Sequence, residues 1–174
     1  MRCRLLGWPE AGPRLELDHG EFAYAGKFVM TRTGKSVLES GGAVLAAAAF
    51  SPDRTDSSRW WLRIVTVRRD RRGEGLGPRL LDFTAERLLG RADRVRIAVN
   101  NPFAYEAAYK AGFGHVGEET GLAELVLERP AERDDAAYRD GLDAFAARDD
   151  LAEVERSFVA SRGGTAPSLV GRSA

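Results

Sequence analysis

A glycine-rich junction within residues 65–81 carries the clearest chemical information in the sequence. An apolar run at residues 60–67 leads into a basic turn, three glycines at spacing two, and an apolar helical pattern. Such a junction presents unpaired backbone N–H groups at a helix N-terminus, where the helix dipole favours an anion. Glycine permits positive φ angles and the close approach of a phosphate. Because Arg69, Arg71 and Arg72 add suitable donors, the junction predicts a diphosphate site.

The spacing of Gly73, Gly75 and Gly77 distinguishes between phosphate-binding motifs. A dinucleotide fingerprint requires G-x-G-x-x-G, and here the third glycine comes one residue early. A P-loop requires Lys directly after the last glycine, where this sequence has Pro78. Residues 72–77, RGEGLG, resemble the R/Q-x-x-G-x-G/A motif of the GCN5-related N-acetyltransferases (the GNAT superfamily), whose loop holds the pyrophosphate of coenzyme A.

A second segment, residues 95–113, carries the same resemblance. Residues 95–99 alternate at the strand period, and Asn100 or Asn101 can cap a helix that begins at Pro102. In the superfamily such a strand is followed by Asn, by a helix with Ala and Tyr, and by a terminal Gly-Phe. The positions that match this pattern are Asn101, Ala104, Gly112 and Phe113.

The tyrosine of this helix has two candidates. The family usually places it four residues before the glycine, where this chain has Ala108. Tyr109 stands one residue later, and Tyr105 lies one turn earlier on the face of position 108. The resemblance implies that one of the two is the general acid. The displaced tyrosine also leaves open a second interpretation, a non-catalytic acyl-CoA-binding or interaction module with a GNAT fold.

The resemblance covers roughly residues 36–128 and implies an N-acetyltransferase. Such an enzyme transfers the acetyl group of acetyl-CoA to a primary amine by direct attack in a ternary complex, with no metal. It also implies that the pantetheine arm binds exposed backbone around residues 65–67, where an N–H near Val67 contacts the thioester oxygen. It implies as well that the acceptor, a small-molecule or peptide amine, is recognised by the region before the hairpin. In this chain that region is residues 14–35, which match no known pattern. The implied coenzyme A-binding residues are Val65, Thr66, Val67, Arg72, Gly73, Glu74, Gly75, Leu76, Gly77, Pro78 and Asn101.

The composition is typical of an ordinary enzyme domain. The 174 residues carry a formal net charge of zero and are 44% hydrophobic, so no global field favours nucleic acid or a membrane surface. No apolar run approaches the ~20 residues that span a bilayer, and the N-terminus is not a signal peptide. The single cysteine, Cys3, fits a reducing compartment, and His19 and His115 lack metal-ligand spacing. We therefore expect a cytoplasmic protein without nucleic-acid, membrane or metal partners.

Hydrophobic periodicity predicts strands and helices of an α/β (α+β) fold, and the resemblance implies a mixed, mostly antiparallel sheet with flanking helices. The resemblance adds that strands 60–67 and 95–99 are parallel and splay apart, so that coenzyme A enters the wedge. Gly41-Gly42 predicts a two-residue hairpin. The predicted strands are 2–6, 36–40, 43–50, 60–67, 95–99, a short one from 115, and 122–128, and the predicted helices are 75–89 and 102–111.

Pro130 marks a predicted boundary between a catalytic domain, residues 1–129, and a helical extension, residues 130–174. Apolar residues recur at helical spacing through the extension, with Asp149-Asp150 as a candidate cap and a frayed end after about residue 163. The apolar stripe is too short to form a core of its own. We expect it to pack either on the same chain or on a second subunit in a homodimer.

Overall fold

A computed structural model describes residues 1–171 of the chain, which form two compact units. One unit contains residues 1–95 with Gly171, and the other contains Arg96–Val170. Within the predicted frayed tail, residues 163–171 form neither helix nor strand, and residues 172–174 lie outside the described residues. The predicted boundary at Pro130 stays a prediction.

Seven strands and four α-helices occur among the described residues, and they confirm the predicted elements with small displacements of their ends. The strands are β1 (Arg2–Gly7), β2 (Gly34–Ser40), β3 (Ala43–Pro52), β4 (Arg59–Val67), β5 (Arg94–Val99), β6 (Gly114–Glu119) and β7 (Leu125–Arg129). The helices are α1 (Leu76–Leu88), α2 (Pro102–Lys110), α3 (Asp135–Ala146) and α4 (Glu153–Ser161). No helix in residues 1–171 is both long and apolar enough to cross a membrane.

In the first unit, strands β1 to β4 are successive antiparallel neighbours. Gly41 and Gly42 have φ angles of 57° and 81° and form the predicted hairpin turn between β2 and β3. The start of β5 lies beside the start of β4, because the Asp93 and Arg94 N–H groups both donate to the Ser58 carbonyl oxygen, at 2.8 and 3.3 Å. These two strands run parallel, and the sheet is otherwise mostly antiparallel, which confirms the predicted fold class.

The two faces of the first unit's sheet are covered differently. Helix α1 packs against β2, β3 and β4, and its Thr84 hydroxyl lies 2.6 Å from the Ser36 hydroxyl of β2. Side chains alternate between faces along a strand, so Val37 and Ala47 point away from α1. These residues pack with Phe28 in an apolar cluster that also includes Leu15, Leu17, Ala49 and Ile64. Residues 13–30 therefore cover the face opposite α1.

Lys35 fastens the segment that precedes β2. Its side chain is fully buried, and burial lowers the pKa of its ammonium group. The ammonium group donates to the carbonyl oxygens of Pro13 (2.5 Å), Met30 (2.5 Å) and Thr33 (3.1 Å). A buried cation requires such acceptors, so Lys35 holds both ends of the segment against β2.

In the second unit, β7 lies between β5 and β6, and β6 pairs antiparallel with β7. Arg96 of β5 bonds carboxylates on both other strands, at 2.6 Å to Glu128 and 2.8 Å to Glu118. A guanidinium with two carboxylate partners satisfies a charge that burial would otherwise penalise. The ion pairs therefore cross all three strands of this unit.

The helical extension packs on its own chain. Helix α3 contacts β6, α2 and α4 and buries Tyr138, Leu142 and Phe145, while α4 packs against α2. The predicted cap at Asp149-Asp150 is wrong, because Ala152 precedes α4 and makes no side-chain capping bond. The chain passes through the aspartates before the helix begins. Homodimerisation stays a prediction.

Candidate functional site

The junction between β4 and α1 has the backbone that its glycines predict. After β4 comes one 3-10 turn, then Arg72 in an extended conformation, then Gly73 with a φ angle of 84°. Gly75, with a φ angle of 77°, occupies the N-cap position of α1 and makes no capping bond. A Cβ atom on either glycine would meet nothing within 4 Å. Conformation therefore requires glycine here, and the space beside both residues is open.

The first turn of α1 offers unpaired N–H groups. Gly75 carries no side chain that can cap the helix, and Pro78 has no N–H group. The Arg79 N–H is the first to bond back, to the Gly75 carbonyl oxygen at 3.3 Å. The N–H groups of Leu76 and Gly77 thus lack intrahelical acceptors, and the helix dipole points its positive end at them. This arrangement fits a phosphate oxygen.

The arginines beside the loop have different partners. Arg68 donates to Asp70 at 2.6 Å and Arg71 to Glu74 at 2.7 Å, and these bonds lower the pKa of both carboxyl groups. The Arg72 guanidinium is exposed and bonds no other residue in 1–171. Within the loop, Arg72 is therefore ready to bind an anion.

Arg69 instead fastens the segment that covers the opposite face of the sheet. Its guanidinium donates to the carbonyl oxygens of His19 and Gly20, at 3.0 and 2.7 Å. Its backbone N–H donates to the Glu21 carbonyl oxygen at 2.9 Å. The glycine-rich loop (residues 68–77) and residues 13–30 are thus joined directly, a link that the sequence did not reveal.

The end of β4 presents backbone groups at its second edge. The Arg68 N–H donates to the Leu45 carbonyl oxygen of β3, at 2.8 Å. Successive residues of an antiparallel strand direct their N–H groups to alternate edges. Thr66 therefore bonds toward β3, whereas Val65 and Val67 direct their N–H and C=O groups away from it. Of the three predicted residues, these two can bond an extended ligand through the backbone.

Asn101 and its helix lie in the second unit. The Asn101 side chain accepts a hydrogen bond from the Ala104 N–H at 2.8 Å, and Pro102 follows as the first helical residue. This confirms the predicted helix cap. The role of Asn101 in coenzyme A binding stays a prediction, since its side-chain oxygen already serves the helix.

Tyr105 and Tyr109 are both fully buried in the second unit, with ring centroids 5.0 Å apart. The Tyr105 hydroxyl donates to the Tyr138 carbonyl oxygen at 2.8 Å, and burial raises the pKa of Tyr105. The Tyr109 hydroxyl accepts from the His115 N–H at 3.0 Å, and its ring packs against the Tyr105 ring. The structure therefore holds both hydroxyls inside one network.

Two residues of this network escaped the sequence analysis. The Tyr138 hydroxyl donates to the buried Glu106 carboxylate at 2.6 Å, and Arg162 approaches the same carboxylate at 3.4 Å. Burial raises the pKa of Tyr138, and the hydrogen bond to Glu106 raises it to a smaller extent. Tyr138 comes from α3, so local sequence around α2 carries no sign of it.

No group of three or more His, Cys, Asp or Glu residues within 1–171 is arranged to hold a metal ion. The first unit contains a glycine-rich loop with unpaired helix N–H groups and an exposed strand edge, and the second unit contains the tyrosine network. A sequence model of the acetyltransferase (GNAT) family matches residues 2–113.

The chain belongs to the GNAT acetyltransferase family. The match includes the glycine-rich loop, Asn101 and both candidate tyrosines of this GNAT protein. No curated protein matches the chain.

Solved structures similar to this GNAT protein include three acetyltransferases. An N-acetyltransferase from Staphylococcus aureus Mu50 is 19% identical, with a TM-score of 0.48 over 55% of this chain and 66% of that one. A GNAT-family acetyltransferase from Streptococcus pneumoniae is 18% identical (TM-score 0.48, 56% and 65%), and an acetyltransferase from Thermus thermophilus is 22% identical (0.45, 57% and 64%). This chain therefore spans less than two thirds of the length of each.

Proposed function

We propose that this protein is an N-acetyltransferase that moves the acetyl group of acetyl-CoA to a primary amine by direct attack in a ternary complex. The observation that carries the proposal is the junction after β4. There, two positive-φ glycines and an uncapped helix turn form an open anion cradle in a GNAT-family chain. When bound, acetyl-CoA supplies an activated acetyl group as a thioester.

The loop residues bind the diphosphate in this proposal. The Leu76 and Gly77 N–H groups donate to phosphate oxygens, while Gly73 and Gly75 leave room for them. The unpaired Arg72 guanidinium adds a charge-assisted bond. Asp70 and Glu74 do not oppose the anion strongly, because Arg68 and Arg71 each neutralise one of them.

The edge of β4 positions the acyl end. Val65 and Val67 direct N–H and C=O groups away from β3, so they can bond the pantetheine arm as an adjoining strand would. The N–H near Val67 donates to the thioester oxygen, where negative charge develops during attack. A fixed backbone donor requires no reorganisation as the charge forms.

A tyrosine hydroxyl protonates the departing thiolate. We favour Tyr109, because the Tyr105 proton is bonded to a main-chain carbonyl oxygen. The acceptor amine reacts in its neutral form, so the reaction accelerates as the pH approaches the amine's own pKa. Residues 14–35 bind the acceptor, a small-molecule or peptide amine.

A non-catalytic acyl-CoA-binding module is the second candidate. The observation in its favour is that both tyrosine hydroxyls are buried and hydrogen-bonded within the second unit. A module of this kind would bind acetyl-CoA through the same loop and release no thiol to any amine.

Calorimetry and a thiol-release assay on the full chain separate the two functions. Titration with acetyl-CoA tests the loop, and thiol release is then measured with polyamines, aminoglycosides, amino acids and N-terminal peptides. We expect binding, together with amine-dependent release from at least one acceptor class. Binding without release across the panel would favour the module, and no binding would reject both functions.

A further inference from the structure

Thr66 of β4 carries an unpartnered hydroxyl. Among residues 1–171, its Oγ1 is the one buried side-chain nitrogen or oxygen atom without a hydrogen-bond partner, and the residue is 4% exposed. Folded proteins contain few such atoms, because burial removes bonds to water without replacing them. Thr84 shows the usual situation, since its buried hydroxyl bonds both the Ser36 hydroxyl and the Leu80 carbonyl oxygen.

The orphan hydroxyl lies between the two proposed backbone donors. Val65 and Val67 direct their N–H groups to the second edge of β4, and Thr66 separates them. Thr66 stands directly across from Ala47, whose side chain belongs to the cluster opposite α1. The Thr66 side chain therefore projects from the face that residues 13–30 cover.

The geometry of attack gives this position a chemical meaning, which rests on the proposed function. A thioester that lies alongside β4, with its oxygen on a backbone N–H, has its carbonyl plane close to the plane of the sheet. A nucleophile approaches a carbonyl carbon from above or below that plane. Helix α1 covers one side, and Gly77 lies so close to Val67 that a Cβ there would contact its side chain at 3.5 Å. Residues 13–30 cover the other side. Because the proposed function assigns the acceptor to residues 14–35, the amine held by that segment reaches the thioester on the Thr66 side.

We propose that the Thr66 hydroxyl accepts a hydrogen bond from the attacking amine and directs its lone pair at the thioester carbon. The C–N bond forms, the C–S bond breaks, the nitrogen loses one proton to water, and the thiolate takes up one proton. The hydroxyl itself neither gains nor loses a proton. Its contribution is orientation, which accelerates a reaction between two bound partners. In this proposal, the unpartnered Thr66 Oγ1 is the atom that the acceptor amine bonds.

The test compares Thr66→Val with Thr84→Val in the full chain. Both substitutions replace a buried hydroxyl by a methyl group of similar shape. The measurements are the melting temperature without ligand, the calorimetric Kd for acetyl-CoA, and kcat/KM for the amine. The amine is whichever of spermidine, kanamycin, lysine and an N-terminal peptide gives the fastest thiol release. Thr66→Ser, which restores a hydroxyl, is the rescue variant.

We expect Thr66→Val to melt at or above the wild-type temperature, because it removes an unpaired polar atom. It should bind acetyl-CoA within threefold of wild type and lose at least tenfold in kcat/KM for the amine. Thr66→Ser should recover to within about threefold of wild type. Thr84→Val should show the opposite pattern, a lower melting temperature with unchanged kcat/KM.

Two results would overturn the inference while leaving the proposed function standing. One is amine turnover by Thr66→Val within twofold of wild type. The other is a lower melting temperature for that variant, which would mean that the hydroxyl already has an internal partner. A wild-type chain that binds acetyl-CoA but releases thiol to none of the amines would end both the proposed function and this inference.

Discussion

The glycine-rich loop after β4 and the tyrosine network differ in their exposure and in the chemical groups that they present. The loop is exposed, presents unpaired backbone N–H groups, and contains Arg72, whose side chain bonds no other residue in 1–171. The network is buried, makes its contacts through side chains, and already bonds the Tyr105 and Tyr109 hydroxyls. The loop therefore has donor groups that are accessible to a ligand. In the tyrosine network, the hydroxyl groups are already positioned by contacts within the folded protein. Substitutions should change binding in the first region and both stability and chemistry in the second.

The largest effect is expected at Gly75. Replacement by Asp puts a negative side chain and a disfavoured φ angle where the proposal places the diphosphate. The affinity for acetyl-CoA should fall at least about 100-fold, which corresponds to a loss of about 2.7 kcal/mol in binding free energy. Calorimetric titration measures it, and Gly77→Asp should behave alike because the charge lies in the same helix turn.

Gly41→Asp is the matched control for that change. Gly41 also has a positive φ angle, of 57°, and open space around its Cβ position, but it lies in the β2–β3 hairpin. It should cost similar backbone strain and leave the acetyl-CoA affinity within threefold of wild type. If both variants lose binding equally, general destabilisation explains the result and the loop is not the anion site.

The tyrosines should give the next largest effect. If Tyr109 protonates the thiolate, Tyr109→Phe should lower kcat at least tenfold with little change in the KM for acetyl-CoA, since a general acid acts in the transition state. Tyr105→Phe should mainly lower the melting temperature, because it leaves the buried Tyr138 carbonyl oxygen without the hydrogen bond from Tyr105. Saturating thiol-release assays and thermal melts on both variants measure these effects. If kcat decreases by less than tenfold in both variants, neither tyrosine is the general acid.

Arg72 should contribute a smaller, salt-dependent share. Arg72→Gln removes the unpaired guanidinium and should weaken acetyl-CoA binding by about threefold to tenfold, with a shallower salt dependence. Arg91→Gln is the control, because it makes the same charge change at an arginine bonded to Glu10. Titrations at two salt concentrations compare them. Equal losses in the two variants would show that the effect reflects net charge alone.

The smallest effect concerns alkaline pH and belongs to the buried region. Burial raises the pKa of Tyr105 above its ordinary value of 10.0, so the unfolded chain releases this proton first. The stability contributed by Tyr105 is therefore full below about pH 10 and declines as the pH rises further. Denaturant unfolding of wild type and Tyr105→Phe between pH 8 and 11 should show their difference shrinking above pH 10. A constant difference would mean that the hydroxyl is not protected in the folded state.

Local features of the fold were predictable because neighbouring residues determine them. The Gly41-Gly42 turn, the Asn101 cap and the strand–glycine–helix junction each follow from a few adjacent residues with fixed φ preferences or a short-range bond. The Asp149-Asp150 cap failed because another residue, Ala152, begins the helix without any side-chain bond. Capping residues mark a helix start only when the chain turns there.

The partners of side chains were not predictable from spacing. Three arginines beside the loop looked equivalent, yet Arg69 bonds carbonyl oxygens about fifty positions earlier, Arg71 bonds Glu74, and Arg72 remains unpaired. Tyr138 reaches Tyr105 from another helix. Such contacts depend on tertiary packing, which local periodicity does not record.

The attachment of residues 13–33 bears on how this protein can be diversified. Lys35 and Arg69 hold the segment mainly by main-chain carbonyl oxygens, which every amino acid supplies. Exposed side chains between these attachments can be exchanged without removing any of those bonds, whereas Leu15, Leu17 and Phe28 pack in the apolar cluster. A library randomised at exposed positions such as Tyr24 and Lys27 would therefore retain these attachments, and it would test the proposal that residues 14–35 bind the acceptor. Exposed side chains and main-chain attachments are therefore separately mutable in this part of the chain.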